Sequence, residues 1–396
     1  LTMRRLRIVV GGFLGLFPAG GVVWDYVQYP LGLAQMGHDV FYIEDTRLYP
    51  VYQKPGSNWG DCSASVEHLK TVMESFGFAD RWAYRDEASG RCFGMSLERV
   101  KQICAGADVF INISCSTYLR NEYRRIPVRA LIDSDPMFTQ IQYLTQQSFT
   151  PGEAGLREMV DGHTHWFTFG ENIGRPHCRM PGCGLTWHPT RQPICLNHWP
   201  VMPIPDTKPA TFTTLMNWSV DKKLFFEGET WGQKDVEFSK VETLPSRLPD
   251  TRLAMAVTRN NAFTPEVENR LTGAGWQVLN PEQHAGDWQS YRRFIQQSTG
   301  EFSVAKETYV KGQTGWFSCR SACYLAAGRP VVTQDTGWSD YIPTGEGLFS
   351  FSNQAEAAAG VDRILTDPER HARVARELAE AYFDSKKVLG ELLERL

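Results

Sequence analysis

The sequence predicts an α/β protein of two Rossmann-like, doubly wound domains that face each other across a cleft. Three observations support this prediction: the length, an alternation of strand and helix patterns in both halves, and a proline-rich stretch between them. The chain has 396 residues, which suits two domains of roughly 150–200 residues each better than one core. Its apolar fraction of 42% and charged fraction of 22% are typical of a globular protein.

The first half alternates short β-branched runs with amphipathic segments, a pattern typical of βαβ units and a parallel sheet. Strands are predicted at 7–10, 39–43, 107–113, 128–133 and 166–169, and helices at 22–36 and 65–76. The apolar run 8–24 follows several arginines and imitates a signal peptide. Its glycines and its proline disfavour a helix there, so we predict a strand followed by a loop.

The alternation stops in residues 174–209, which are rich in Pro, Cys, His and Trp, and then restarts. Such a segment is typical of a connection between domains. Strands are predicted next at 211–216, 252–257, 276–279, 301–305, 330–333 and 347–351, and helices at 236–244, 265–274, 288–298 and 319–327. We therefore expect an N-terminal domain over 1–200 and a C-terminal domain over 201–375. We also expect a final helix over 376–396, which can pack back on the N-terminal domain.

Charge and cysteine content restrict the partners and the compartment. The net charge of −4 favours neither nucleic acid nor anionic lipid as a partner. No run of about 20 apolar residues predicts a membrane span. Nine cysteines, an odd number in a large chain, favour free thiols and a reducing cytoplasm over a disulfide framework.

The most informative stretch runs from Gly300 to Asp340. A loop leads to Ser318 and into a predicted helix whose first turn carries Arg320 and Ser321. Because a helix N-terminus offers free N–H groups and a positive dipole end, it suits an anion such as a diphosphate. A strand follows at 330–333, and the acidic loop with Asp335, Trp338 and Asp340 comes after it.

This stretch resembles the donor-binding region of GT-B glycosyltransferases, and in particular the family called glycosyl transferases group 1. The matching elements are the loop–helix over 318–327, the Gly328-Arg-Pro-Val-Val332 strand and the acidic loop over 335–340. The resemblance implies a metal-independent hexosyltransferase that needs no cofactor. Its substrates would be a nucleotide-diphosphate sugar and a hydroxyl acceptor, either a small molecule or a glycan.

The resemblance also implies roles for individual residues. Ser318, Arg320 and Ser321 would hold the diphosphate, while Asp335, Trp338 and Asp340 would face the sugar or the ribose. The family uses a further Lys in the second domain, for which Lys234 is the candidate, and Lys306 and Arg259 are additional candidate cations. The retaining members carry a Glu where this chain has Cys323, so inversion and retention both stay open.

In the first half, five glycines follow the first predicted strand: Gly11, Gly12, Gly15, Gly20 and Gly21. They do not match the dinucleotide-binding fingerprint. They do allow close approach of a substrate to the backbone, so a cleft-lining loop is predicted. A transfer by inversion needs a base for the acceptor hydroxyl, and the candidates are the carboxylates Asp25, Asp135 and Glu171.

The segment between the domains contains a group of thiols and imidazoles, namely Cys178, Cys183, Cys195 and His198. Four such ligands suit a tetrahedral zinc site, but the spacing is looser than in zinc knuckles. An ordered connecting loop without metal is therefore the simpler interpretation, and we predict no metal.

Three functions remain open from the sequence. The first is sugar transfer from a nucleotide sugar, with positioning and cations providing most of the catalysis. The second is a nucleotide-sugar epimerase on the same fold. The third is a non-catalytic protein that binds nucleotide sugars. The sequence predicts neither the base and sugar of the donor nor the oligomeric state.

Overall fold

The computed structural model describes residues 4–52, 56–146, 155–219 and 223–396. Within these ranges the strands form one large sheet in each half of the chain and a small hairpin in the second half. This arrangement confirms the predicted α/β class with two doubly wound sheets.

The first sheet consists of eight strands among the described residues, in the order β4-β3-β2-β1-β5-β6-β7-β8. All neighbours are parallel except β3 and β4. In its central strand β1 the residues Ile8, Val9 and Val10 are fully buried, because helices cover both faces. The strands are β1 (Arg7–Gly11), β2 (Asp39–Glu44), β3 (Trp82–Arg85), β4 (Cys92–Gly94), β5 (Val109–Ile113), β6 (Val128–Asp133), β7 (His165–Thr168) and β8 (Trp187–Pro189).

The strand β8 lies inside the stretch that the sequence predicts as a connection. Trp187 is 8% exposed and pairs in register with Trp166 of β7, so burial of these rings extends the first sheet to Pro189. The helices of this half are α1 (Gly20–Gln35), α2 (Ser63–Ser75), α3 (Leu97–Ala105), α4 (Asn121–Arg124), α5 (Phe138–Thr145) and α6 (Leu156–Asp161).

The second sheet is parallel throughout, in the order β13-β12-β9-β14-β15-β16. Its strands are β9 (Ala210–Asn217), β12 (Thr251–Thr258), β13 (Gln277–Leu279), β14 (Gly300–Ser303), β15 (Val331–Gln334) and β16 (Leu348–Phe351), and the hairpin consists of β10 (Leu224–Phe226) and β11 (Glu229–Trp231). In each sheet the first strand is followed by strands that are added on one side of it, and the later strands are then added on its other side. The strand order therefore reverses beside β1 in the first sheet and beside β9 in the second. Ligands of doubly wound sheets bind at the carboxyl ends of the strands at such points.

The second half carries most of the helices. The helix predicted at 236–244 is shorter than expected, since α7 ends at Phe238 and a 3-10 turn with Pro245 follows. None of the described helices is long and apolar enough to cross a bilayer. The helices are α7 (Lys234–Phe238), α8 (Pro265–Gly273), α9 (Pro281–Ala285), α10 (Trp288–Gln296), α11 (Glu307–Gly312), α12 (Cys319–Ala326), α13 (Gln354–Thr366), α14 (Pro368–Tyr382) and α15 (Ser385–Leu393).

Helix α1 lies between the two halves and contacts both. The indole N–H of Trp24 donates to the carbonyl of Trp288 in the second half, at 2.8 Å. On another side α15 packs against α1, and Gly32 leaves the space that Leu389 fills. The single helix predicted over 376–396 is wrong, because α14 ends at Tyr382 and α15 begins at Ser385; it is α15 that packs on the first half of the chain.

The chain passes between the halves at two adjacent places. The first passage follows β8 and the second lies between α14 and α15. Their backbones pair, because the amide of Ile194 donates to the carbonyl of Phe383 at 2.7 Å and the amide of Ser385 donates to the carbonyl of Ile194 at 2.9 Å. The two passages are therefore hydrogen-bonded to each other.

A third link is the fully buried Asn172, which follows β7. Its backbone amide donates to the carbonyl of Thr314 at 3.0 Å. Its side chain donates to the carbonyl of Gln313 at 3.0 Å and accepts from the hydroxyl of Tyr341 at 2.8 Å. A loop of the first half is thus inserted between two loops of the second.

Candidate functional site

A cleft of about 490 Å³ lies where the carboxyl ends of the two sheets face each other. The first half contributes residues that follow β1, β5 and β6 together with the start of α1, and the second half contributes the ends of β9 and β12 and the start of α12. The residues that carry its chemistry are Phe13, Gly21, Asp25, Tyr26, Ser114, Ser134, Asp135, Asn217, Lys234, Thr258, Tyr291, Lys306, Tyr309, Trp316, Ser318, Cys319 and Arg320.

The N-terminus of α12 faces this cleft. Ser318 is the N-cap residue in an extended conformation, with φ −73° and ψ 132°, and its side chain makes no capping hydrogen bond. Ser318, Cys319 and Arg320 all line the cleft. Because the first N–H groups of a helix lack partners within the helix, this end offers donors and a positive dipole to an anion.

Arg320 extends from this helix to strands β9 and β14 of the second sheet. Its Nε donates to Glu301 at 2.5 Å, one terminal nitrogen donates to the carbonyl of Leu215 at 2.5 Å, and the other donates to the hydroxyl of Ser303. The side chain of Glu301 is 0% exposed and that of Arg320 is 11% exposed. Arg320 therefore borders the cleft as half of a buried ion pair, with its charge largely compensated.

Lys234 is the cation with the fewest contacts in the cleft. Its ammonium donates no hydrogen bond to any residue in the described ranges, and it stands near two other cations, Arg320 and Lys306. Burial, followed by repulsion from Arg320 and Lys306, lowers the pKa of Lys234 well below its usual range. An anion bound here would therefore stabilise the charged form of Lys234.

Lys306 and Asp135 connect the two walls. Lys306 donates to Asp135 at 2.5 Å, and Tyr309 donates to the same carboxylate oxygen. Burial would raise the pKa of Asp135, but Lys306, Tyr309 and Lys234 outweigh it and lower the pKa. Asp135 is therefore an ionised carboxylate at neutral pH and a weak base.

The pKa of Asp25 is shifted in the opposite direction from that of Asp135. Asp25 lies in the second turn of α1 on the cleft wall, near Arg320 and the thiol of Cys319. Burial raises its pKa to about 7, against smaller lowering effects of Arg320 and Cys319. A carboxyl group whose pKa lies near the working pH is suited to accept and release protons.

Comparison with known proteins identifies the fold. No family model matches the chain, and no curated protein matches its sequence. The structure of HepE from Anabaena in complex with UDP and glucose superposes with a TM-score of 0.59, over 99% of this chain and 100% of that chain, at 10% identity. The chain has the GT-B fold.

Two further GT-B structures superpose over nearly the whole length. Sucrose-phosphate synthase from Thermosynechococcus elongatus gives a TM-score of 0.52 over 99% of both chains at 10% identity. AviGT4, a glycosyltransferase involved in avilamycin A biosynthesis, gives 0.52 over 98% of this chain and 96% of that chain at 12% identity. The GT-B architecture predicted from the 300–352 segment is therefore confirmed.

Several residues predicted to bind the donor lie outside the GT-B cleft. Trp338 is 1% exposed and packs edge-to-face on Phe317 in the core. The carboxylate of Asp335 accepts from the amide of Gly337 and the hydroxyl of Ser339 within its own loop, and Asp340 is exposed near His177. This acidic loop packs on Asn172 of the first half, which moves it away from the cleft.

Two other predicted donor-binding residues are also engaged elsewhere. The side chain of Ser321 is fully buried on the inner side of α12, because one step of about 100° beyond Arg320 rotates it away from the cleft. Arg259 follows β12 but extends over the surface, where its guanidinium forms a bidentate pair with Glu268. Of the predicted donor-binding set, the cleft lining includes Lys234, Lys306, Ser318 and Arg320.

The glycine loop of the first half has mainly a packing role. Gly21 lines the cleft under the ring of Tyr291. A side chain at Gly20 would overlap the backbone carbonyl of Asp287 and lie 2.8 Å from the carbonyl oxygen of Ala285. The other three pack against their own domain, where added side chains would meet Thr117 at Gly11, Tyr26 at Gly12 and Ser65 at Gly15.

Glu171 is not part of the cleft wall. It accepts a bidentate pair from Arg191 at 2.5 and 2.7 Å. Burial raises the pKa of Glu171, and the Arg191 pair partly offsets this rise. Together these two residues line a different depression, beside α14 and α15, where the guanidinium of Arg191 lies 5.3 Å from the centre of the Tyr382 ring.

The cysteines and histidines predicted as possible zinc ligands do not converge. The thiol of Cys195 contacts the carbonyl of Gln28, the thiol of Cys183 contacts the carbonyl of Gln140, and His198 packs on Trp24. In the described ranges no group of three or more His, Cys, Asp or Glu side chains is arranged to hold a metal ion. All nine cysteines are free thiols.

The cleft also contains polar residues that are not among the candidates predicted from the sequence. The hydroxyl of Tyr26 donates to Ser114 at 3.0 Å, and the Ser114 and Ser134 hydroxyls lie 2.6 Å apart. Ser114 and Ser134 directly follow two predicted strands, so the rule that ligands bind at strand ends would have identified them. No comparable signal marks Tyr26.

Proposed function

We propose that this protein is a glycosyltransferase that moves a sugar from a nucleotide-diphosphate donor to a hydroxyl group of an acceptor. The observation that carries the proposal is the position of Lys234, a cation without an acceptor among the described residues, beside Arg320, Lys306 and the N-terminus of α12. Burial and the neighbouring cations lower the pKa of Lys234, and a bound anion would stabilise its charged form. The GT-B fold and the UDP and glucose bound to HepE support a nucleotide sugar as that ligand.

In the proposed reaction the bond between the anomeric carbon and the diphosphate oxygen breaks, and a bond from the acceptor oxygen to that carbon forms. The departing diphosphate gains negative charge, which Lys234, Lys306 and the amides of α12 would stabilise. Asp25 would accept the proton of the acceptor hydroxyl. Arg320 would act indirectly, as the partner of Glu301 that fixes the start of α12.

A ligand panel tests binding. UDP, GDP, dTDP and their sugar conjugates are added to the protein, and the thermal unfolding temperature is recorded, since a ligand that binds the native state stabilises it. We expect one nucleotide to raise this temperature strongly and the other two weakly. No stabilisation by any of them would contradict a nucleotide-sugar site.

A product assay then separates the three functions left open by the sequence. A transferase releases nucleoside diphosphate and forms a glycoside when a hydroxyl acceptor is present, whereas an epimerase converts the donor without an acceptor. A binding protein would stabilise without turnover. We also expect transfer to continue in EDTA, because lysines provide the charge that a metal would otherwise supply; loss of transfer in EDTA would contradict this expectation.

A further inference from the structure

A second cavity of about 340 Å³ opens beside the cleft. The two cavities share one wall, formed by Ser114, Ser134, Asp135 and Lys306. Beyond this wall the second cavity is lined by Cys115, Phe138, Thr139, Gln142 and Gln233. The two cavities are therefore adjacent, and the ion pair of Lys306 and Asp135 borders both.

Gln233 has an unusual environment in this cavity. The residue is 6% exposed, and its side-chain amide has no hydrogen-bond partner among the described residues. The amide borders the cavity, so it is open to a ligand there. Gln233 therefore presents one acceptor and two donors to whatever enters the cavity.

The remaining lining suits a ring that carries hydroxyl groups. The amide of Gln142 likewise has no partner within the described ranges, and the second oxygen of Asp135 stays available beside the one that Lys306 and Tyr309 occupy. Phe138 adds an aromatic surface under Lys306. Amides, a carboxylate and an aromatic ring together bind the polar edge and the apolar face of a sugar.

The backbone of this wall is also unusual. Ser114 and Cys115 both adopt left-handed conformations, with φ of 56° and 53°. Residues other than glycine rarely do so, and such strain concentrates at functional sites. The strain turns the chain sharply after β5, so that both residues line the cavity.

We propose that the second cavity binds the sugar ring of the nucleotide donor and that Gln233 hydrogen-bonds its hydroxyl groups. This inference rests on the proposed function. The donor sugar is favoured over an acceptor sugar because Gln233 directly precedes Lys234, which faces the expected diphosphate, and because Lys306 lines both cavities. A group covalently attached to the diphosphate would therefore enter the second cavity.

The test is a comparison of two dissociation constants, measured by calorimetry on the full chain. One is for the nucleoside diphosphate that the panel selects, and the other is for its sugar conjugate, from the pairs UDP and UDP-glucose, GDP and GDP-mannose, or dTDP and dTDP-glucose. For Gln233→Leu we expect the constant of the sugar conjugate to rise about tenfold. We expect that of the nucleoside diphosphate to stay within about twofold.

Because the Gln233 side chain makes no internal hydrogen bond, Gln233→Leu should also leave the unfolding temperature of the ligand-free protein unchanged. Gln102→Leu, the same substitution at an exposed position of α3, is the matched control and should change neither constant. An equal rise in both constants of Gln233→Leu would overturn the proposal, since Gln233 would then act through Lys234.

If both dissociation constants of Gln233→Leu equal those of the wild type, the proposal is overturned as well. An effect confined to the KM of the acceptor would overturn it in favour of an acceptor sugar. If the wild-type protein binds none of the six ligands, the proposed function itself fails and the subsite fails with it. This result is distinguishable from the others, because each of them requires that the wild-type protein binds a nucleotide.

Discussion

Asp25 is the residue whose protonation state most directly controls the proposed reaction. Its carboxyl group must be ionised to accept the proton of an acceptor, and its pKa is raised to about 7. We expect kcat/KM for transfer to fall about tenfold per pH unit below pH 7 and to level off above it. Asp25→Asn should lower kcat by about 100-fold or more, measured as product formed at saturating donor.

The same residue should make a measurable difference to stability. The native state holds a proton on Asp25 that the unfolded chain, with a pKa near 3.8, releases; stability from this group therefore falls as the pH rises from about 4 to about 7. Asp25→Asn should raise the unfolding temperature at pH 8 and have little effect at pH 4. The exposed Asp362→Asn serves as control, and a lower unfolding temperature for Asp25→Asn at pH 8 would count against this account.

Lys234 should contribute to binding and not to folding. Lys234→Met removes an ammonium that has no partner in the described chain, so the ligand-free protein should be as stable as the wild type or slightly more so. The dissociation constant of the selected nucleoside diphosphate should rise about 10- to 100-fold, as for loss of a charged hydrogen bond. Lys386→Met, an exposed position on α15, is the matched control; an unaltered constant for Lys234→Met would remove the cation from the site.

Arg320 should instead contribute mainly to folding. Arg320→Met leaves the fully buried Glu301 without its partner, and loss of one member of such a pair costs about 3–5 kcal/mol. Urea denaturation should show this loss. The double variant Glu301→Met with Arg320→Met should recover most of it, because neither charge is then left alone. A single variant as stable as the wild type would indicate that the pair is not buried in solution.

At the scale of elements, the start of α1 packs closely against the turn before α10, and only a glycine at position 20 leaves room for this contact. Gly20→Ala places a methyl group into the carbonyl of Asp287 and should cost about 1–3 kcal/mol, as overpacking does. Gly390→Ala in α15 meets no atom within 4 Å and should gain about 0.5–1 kcal/mol. Denaturation midpoints check both, and equal effects of the two substitutions would contradict the close contact.

The elements themselves follow well from the sequence. The predicted strand over 128–133 has the observed bounds, that at 7–10 is one residue short at one end, and that at 252–257 is one residue short at both ends. Apolar runs bounded by polar residues identify such buried parallel strands. The pattern missed β3, β4, β8, β10 and β11. Of these, β3, β8 and β11 each carry a buried tryptophan, whose contacts with distant residues no local periodicity encodes.

For the whole molecule, the sequence located the cleft but not all of its lining. Lys234, Lys306 and Ser318 lie in it, as their positions beside strands and a helix start suggested. Trp338 and Asp335 do not, because Asn172 from the other half binds their loop. Whether a residue after a strand faces the cleft or a neighbouring loop depends on packing between domains, which a single sequence does not reveal.

The paired passages at Ile194 and Phe383–Ser385 have a consequence for proteolysis. The segment 206–208 is exposed and offers a site for a protease. Cutting it would leave the two pieces joined by the backbone pairing at Ile194 and by α15 on α1, so they should co-elute in gel filtration under native conditions. They should separate only in denaturant, and the nicked protein should keep its affinity for the nucleotide.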